Sequence, residues 1–101
     1  MATLTILFRN YDYSYGYIYK ATLTFPDDPF PKETVSLNAY EKSATYVIPV
    51  GHRVEIDFGY MDANLFTSDP KGVLVEQEDY AHSLTLTPQE PVASVMVGTM
   101  I

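Results

Sequence analysis

The chain has 101 residues, a length typical of one domain, and we expect a single domain over residues 1–101. Apolar residue types make up 47% of it, which excludes an intrinsically disordered chain. The 13 acidic and 6 basic residues leave a net charge of -7, which argues against nucleic acid as a partner, because a phosphate backbone binds concentrated positive charge. The absence of cysteine excludes disulfides, thiol nucleophiles and zinc sites built on cysteine.

Targeting and membrane-spanning patterns are absent from the sequence. Residues 1–20 lack the order of basic, apolar and small residues that marks a signal peptide. The longest strongly apolar stretch, residues 92–101, is too short to cross a bilayer. We therefore expect no membrane partner and a cytoplasmic location for the chain as written, and the same features are compatible with a place in a virion or in an extracellular assembly.

Alternation of apolar and polar residues at a period of two dominates the chain from residue 3 onwards. It predicts strands over residues 3–9, 17–25, 34–39, 43–50, 53–58, 72–77, 83–87 and 92–101. Proline, glycine and aspartate mark turns at 26–29, 49–52, 68–72 and 88–91. The run Asp69-Pro70-Lys71-Gly72 fits a type I turn. A single helical turn is expected at most, near 60–66 or 78–82.

About eight short strands separated by regular turns predict an all-β fold, an antiparallel β-sandwich of about seven to eight strands and of the Ig-like or prealbumin-like kind. A small β-barrel is the alternative. Within residues 44–56, one predicted strand ends at Pro49-Val50-Gly51 and the next begins at once. This segment resembles prealbumin-like sandwich modules over a small part of the chain, and the resemblance implies the sandwich fold alone.

Five tyrosines follow one another at a strict spacing of two, at positions 11, 13, 15, 17 and 19. One strand over residues 11–25 would be roughly 50 Å long, so we expect a break between Asn10 and Gly16, with strand 3–9 pairing with strand 17–25 through a tyrosine-bearing loop. The tyrosines either pack on the chain's own core or form an exposed recognition patch. In the second interpretation, Asp12 accepts hydrogen bonds from sugar hydroxyls or pairs with a partner's arginine. The candidate binding residues are Tyr11, Asp12, Tyr13, Tyr15 and Tyr17.

The last ten residues form an uncharged strand with apolar side chains on both faces. Such a strand is central in a covered sheet or seated in an interface. The segment 60–66 holds four large apolar residues and is predicted to be a connection that covers one end of the sandwich or extends an interface. The candidate interface residues are Tyr60, Met61, Leu65, Phe66, Met96, Met100 and Ile101.

Sequence signatures of catalysis and of cofactor or metal binding are absent, so we expect no enzyme activity, no cofactor and no metal site. The two histidines, His52 and His82, do not stand at metal-binding spacing, and no nucleophile elbow or phosphate-binding loop occurs. Acidic residues cluster at 27–28 and 76–79, but neither cluster has the spacing of a known calcium loop, which favours solvated loops.

Three function hypotheses follow, all without catalytic residues. The first is a structural or protein-interaction module that forms a homo-oligomer or docks on a larger assembly through its aromatic surface and its apolar C-terminal strand. The second is a carbohydrate-binding module that stacks glycans on the tyrosine-rich loop. The third is an acidic inhibitor that occupies the basic site of a nucleic-acid enzyme. The first is preferred because the tyrosines, the segment 60–66 and the C-terminal strand all agree with it.

Overall fold

The computed structural model describes residues 1–29, 32–59, 64–77 and 82–101. These residues contain nine strands and one short 3-10 turn at Tyr13–Tyr15. The strands are β1 (Ala2–Asn10), β2 (Tyr19–Thr24), β3 (Glu33–Leu37), β4 (Glu41–Ile48), β5 (Val54–Asp57), β6 (Asn64–Lys71), β7 (Val73–Glu76), β8 (Ser83–Pro88) and β9 (Val92–Met100). In this part of the chain, no helix is long and apolar enough to cross a membrane.

The strands form two sheets that pack face to face. One sheet has four strands in the order β4-β1-β9-β6, and the other has five in the order β3-β2-β5-β8-β7. No pairing between the described strands joins the two sheets, so the predicted β-sandwich is confirmed and the alternative of a closed small barrel is wrong. The strand pairs are antiparallel except β1 and β9, which run parallel.

The period-two pattern of the sequence produces the core between the sheets. Leu4, Ile6 and Phe8 of β1 are fully buried, while the residues between them point to the outer face. The same alternation buries one side of β2, β5, β8 and β9. The largest fully buried apolar side chains are Phe8, Leu4, Ile6, Leu23, Leu37, Ile48, Ile56, Leu86, Val54 and Val97.

Two sequence-based expectations about connections are wrong. Strand β1 does not pair with β2, because the loop between them crosses from the four-stranded sheet to the five-stranded sheet. Residues 68–71 belong to β6, in which the register shifts between Ser68 and Lys71, so the expected type I turn at 69–72 does not form. The alternating pattern also predicts no strand over 64–71, because only Leu65 of this edge strand is buried in the core.

Strand register places the loops at two opposite ends of the sandwich. Strands β1 and β9 end where β4 and β6 begin, so residues 11–18, residues 38–40 and Met100 lie at the same end. The turns at 26–29 and 49–53 lie at the other end, where β2 ends and β5 begins. This arrangement brings the tyrosine-bearing loop close to the end of the C-terminal strand.

Candidate site at the tyrosine end of the sandwich

Residues 11–18, called the tyrosine loop below, connect β1 to β2. Tyr13–Tyr15 form one 3-10 turn, in which the Tyr15 amide donates to the Asp12 carbonyl at 3.0 Å. Gly16 then adopts a left-handed conformation with φ of 86°, which residues with a side chain rarely adopt, and its amide donates to the Tyr13 carbonyl at 2.9 Å. The loop is therefore a compact turn, and the strict spacing of its tyrosines does not correspond to a strand.

Two buried polar side chains hold the tyrosine loop in place. The Asn10 Nδ2 group donates to the Tyr17 carbonyl at 2.8 Å and to the Leu37 carbonyl at 3.1 Å, while its Oδ1 accepts from the Asp12 amide at 3.1 Å. Asn10 is 1% exposed. A buried amide is costly unless it is hydrogen-bonded, and these bonds connect the loop to both sheets at once.

Asp12 adds hydrogen bonds from the loop to the start of β2 and to the residue that follows β9. Its Oδ2 accepts from the Tyr19 hydroxyl at 3.0 Å and from the Ile101 amide at 2.6 Å, and the residue is 7% exposed. The carboxylate is directed into the protein and already has two donors within the chain. Its Oδ2 atom is therefore engaged in holding the loop to β2 and to the end of β9, a structural role that the sequence did not predict for Asp12.

The three tyrosines between Asp12 and Tyr19 are exposed to solvent. Tyr13, Tyr15 and Tyr17 are 41%, 79% and 42% exposed, and Ile18 beside them is 60% exposed. Tyr19, the last of the series, is the first residue of β2 and is buried. The sequence left open whether these tyrosines face solvent or the core. In the structure, Tyr13, Tyr15 and Tyr17 face solvent, and Tyr19 belongs to the core.

Tyr11 lies at the base of the loop in a cluster of three aromatic rings with Tyr40 and Phe66. Its ring centroid is 5.6 Å from that of Tyr40, in an edge-to-face arrangement, and 5.4 Å from that of Phe66. Arg9 borders this aromatic cluster, with its guanidinium carbon 6.0 Å from the Tyr40 ring centre and its Nη2 2.8 Å from Glu41 Oε1. Tyr11 is consequently half-buried, unlike the three exposed tyrosines of the loop.

Below the aromatic cluster, the outer face of the four-stranded sheet is partly apolar. Leu7 and Met96 are neighbours across the β1–β9 pair and are half-buried, and Phe66 lies over Gly98. The outer face of the five-stranded sheet differs in chemistry, since β5 presents the acidic residues Glu55 and Asp57 there. The two faces of the sandwich are thus unequal, and the apolar one continues into the tyrosine loop.

The interface residues expected from the sequence have different positions in the structure. Met100 and Ile101 are 47% and 48% exposed, close to the loop, because Asp12 binds the Ile101 amide. Phe66 and Met96 lie half-buried on the outer face of the sheet, while Leu65 points into the core at 7% exposure. Leu65 is therefore no surface residue. Tyr60 and Met61 lie outside the described residues.

Sequence reasoning did not identify Ile18, Tyr40 or Asn10 as parts of this site. Ile18 stands on the polar side of the alternating pattern, so its exposure becomes evident only once the loop is known to leave the strand. Tyr40 approaches Tyr11 because β4 pairs with β1, a contact between distant segments. An asparagine at the end of a strand is a common turn residue and gives no signal that it is buried.

Charged groups with definite partners lie at the opposite end of the sandwich. Arg53 Nη2 and Nε donate to the two carboxylate oxygens of Asp27 at 2.8 and 3.0 Å, and this hydrogen bonding lowers the pKa of Asp27 to about 2. His52 Nδ1 lies 2.8 Å from Asp28 Oδ1. These contacts connect the turn at 26–29 to the start of β5. Among the residues that the structure describes, no group of three or more potential ligands could hold a metal ion.

Comparisons with protein-family models, with curated proteins and with solved structures find no match to this chain.

Proposed function

We propose that this protein is a recognition module that docks on a protein partner through the tyrosine loop and the adjoining surface of Ile18, Met100 and Ile101. The observation that carries the proposal is the combination of three exposed tyrosines with a loop that the hydrogen bonds of buried Asn10 and Asp12 hold in place. Exposed aromatic rings contribute nothing to the core. A preformed loop loses little conformational entropy on binding, and tyrosine offers a large contact area with few rotatable bonds.

The aliphatic neighbours of the tyrosines favour a protein partner over a glycan. Ile18 is 60% exposed and Met100 and Ile101 are close to half-exposed, so the rim of the loop is apolar. Sugar sites combine an aromatic ring with nearby hydrogen-bonding groups, whereas Asp12 is largely buried and its Oδ2 atom already accepts two hydrogen bonds within the chain. Tyrosine and aliphatic side chains together are typical of the centre of a protein interface.

The experiment is site-specific photo-crosslinking in the cells that produce the protein. A photoreactive phenylalanine analogue replaces Tyr15 in one sample and Val50, a 44% exposed residue at the opposite end, in the control. We expect one defined protein adduct from position 15 and none from position 50. Tyr15→Ser should abolish co-purification of that partner, while Tyr15→Phe should retain most of it, because the ring provides the contact area.

Two outcomes would contradict the proposal in favour of the other functions. Specific binding on a glycan array that is lost in Tyr15→Ser would identify a carbohydrate-binding module. A partner that crosslinks at neither position, is retained by Tyr15→Ser and has an affinity that falls steeply with salt would identify an acidic inhibitor.

A further inference from the structure

The edge of the four-stranded sheet at β4 differs from the other three sheet edges. Strand β4 has eight residues and pairs with β1 in one unbroken register, from Ala2 opposite Ile48 to Arg9 opposite Glu41. Strands β3 and β7 at the edges of the other sheet have five and four residues. Strand β6, at the far edge of the same sheet, contains a register shift and Pro70.

The three other edges carry features that oppose pairing with a further strand. Short length, proline and bulges all weaken an edge as a template. Side chains from elsewhere in the chain also form hydrogen bonds with the backbone of two of these edge strands. Lys42 Nζ donates to the Ser36 carbonyl of β3 at 3.3 Å, and Gln77 Nε2 donates to the Leu65 carbonyl of β6 at 3.0 Å. In β4 the charged residues, Glu41 and Lys42, stand only at its first two positions, and residues 43–48 are uncharged.

The backbone groups that β4 directs outward can be assigned from the register. The Asn10 amide donates to the Tyr40 carbonyl at 2.9 Å, one step beyond the pair Arg9–Glu41. Since antiparallel pairs alternate, the even-numbered residues of β4 bond to β1, and Ser43, Thr45 and Val47 direct their amides and carbonyls away from it. None of the hydrogen bonds described for the chain uses these outward groups.

We propose that β4 pairs antiparallel with β4 of a second copy of this chain, giving a two-fold dimer with one continuous eight-stranded sheet. Self-pairing of this kind is isologous, because the same edge serves on both copies. The outward amides and carbonyls of the two β4 strands stand opposite one another when either Ala44 or Thr45 lies on the two-fold axis. Ser43 then pairs with Thr45 of the second copy in the first register and with Val47 in the second. In both registers Glu41 and Lys42 face uncharged residues of the second copy, so no like charges stand opposite one another.

The remaining charge of the molecule is compatible with this dimer. The net charge is -7, but the acidic residues Glu55 and Asp57 lie on the outer face of the other sheet, away from β4. Val47, which is 56% exposed, gains cover at the junction of the two sheets. The dimer leaves the tyrosine loop free on each copy, so this inference does not depend on the proposed function.

The test is the molar mass of the full chain by sedimentation and light scattering over a dilution series. We expect twice the 11.4 kDa of one chain, falling to that value on dilution. Thr45→Pro removes an outward amide without removing a backbone hydrogen bond to β1, although it also removes the exposed hydroxyl contact with Thr5 at 3.3 Å. Because of the two-fold axis, each dimer loses two outward amides. We expect the dissociation constant to rise roughly ten-fold or more.

A second variant keeps the test independent of any effect of proline on folding. Thr45→Lys should also give monomers, because it places two ammonium groups opposite or diagonal to one another across the axis. Leu74→Lys, at a 48% exposed position on the β7 edge, adds the same charge and should leave the dimer intact. In the wild type, the amides of Ser43, Thr45 and Val47 should exchange with solvent more slowly as concentration rises.

Either of two results would overturn the β4 dimer. One is a wild-type chain that stays monomeric up to about 1 mM, a concentration at which even weak pairing is populated. The other is a dimer that persists in both Thr45 variants, since its interface would then lie elsewhere. Tyr15→Ser should not change the mass in either case, so a failure here is distinguishable from a failure of the tyrosine loop to bind a partner.

Discussion

At the scale of single residues, two carboxylates of this chain have contrasting surroundings. Asp12 is buried and accepts hydrogen bonds from a hydroxyl and a backbone amide. Asp27 lies at the surface and pairs with Arg53 through both carboxylate oxygens, while its Oδ2 also accepts from the Arg53 backbone amide at 2.8 Å. The first holds the candidate site in shape, and the second joins two turns at the far end.

The pairing of Asp27 with Arg53 makes the far end sensitive to acid. Its pKa is lowered from 3.8 to about 2, chiefly by the Arg53 hydrogen bonds, so the contribution to stability is complete above pH 3.8 and is lost as the pH falls towards 2. We expect wild type to be more stable than Asp27→Asn at neutral pH and the two to converge near pH 2. Urea unfolding at a series of pH values measures this difference.

A direct titration of the Asp27 carboxyl by NMR provides the control. In Arg53→Gln the pKa of Asp27 should return towards its ordinary value of 3.8, because the guanidinium no longer holds the charged form. A wild-type Asp27 that already titrates at 3.8 would show that the pair does not form in solution.

At the scale of elements, the packing of β6 against β9 includes one close contact between an aromatic ring and a glycine. Gly98 of β9 stands opposite Phe66 of β6, and a Cβ added at position 98 would overlap the Phe66 ring. The ring covers the glycine and in turn packs on Tyr11. The aromatic cluster therefore depends on the absence of a side chain at position 98, which explains a glycine within an otherwise regular strand, two residues before its end at Met100.

Gly98→Ala should destabilise the protein by about 1–3 kcal/mol, because the Phe66 ring must leave its position over the strand. In the background of Phe66→Ala the same substitution should cost nothing, since the space is then free. Unfolding free energies of the two single variants and the double variant form a cycle that measures this coupling. Additive effects would mean that the ring does not lie over Gly98.

At the scale of the whole molecule, the fold depends on contact between the two ends of the chain. Strand β9 lies between β1 and β6, parallel to the first and antiparallel to the second. Ala93, Val95 and Val97 bring its inner face into the core. Of the two interpretations of the uncharged C-terminal strand, the structure supports the central one, and β9 itself is not an open edge.

Removal of residues 92–101 should therefore abolish folding and not merely change assembly. The truncated chain would leave β6 without its partner strand and β1 paired with β4 alone, and it would expose the core that β9 covers. We expect no cooperative thermal transition in calorimetry and poor dispersion of amide resonances. A truncated chain that stays folded would instead assign the strand to an interface.

How far the sequence predicts the candidate site differs from residue to residue. The alternation of apolar and polar residues located most strands, and the turn-forming residues at 10–16 placed the break before β2. The exposure of Tyr13, Tyr15 and Tyr17 could not be predicted from their spacing. Tyrosines two residues apart can belong to a strand or, as here, to a turn that ends in a glycine, and the sequence pattern does not distinguish the two. Phe66 and Tyr40 joined the site only through strand pairing between distant segments.

The sequence by itself determined the class of the fold and the composition of its surface. Short alternating segments bury one side of each strand, which requires two layers, and an acidic chain without cysteine restricts the available chemistry. Only the tertiary structure decided the order of the strands, the inward direction of Asp12, the exposure of the tyrosine loop and the unprotected edge of β4. The physical reason is that alternation is a local property, whereas burial and strand order arise from contacts between residues far apart in the chain.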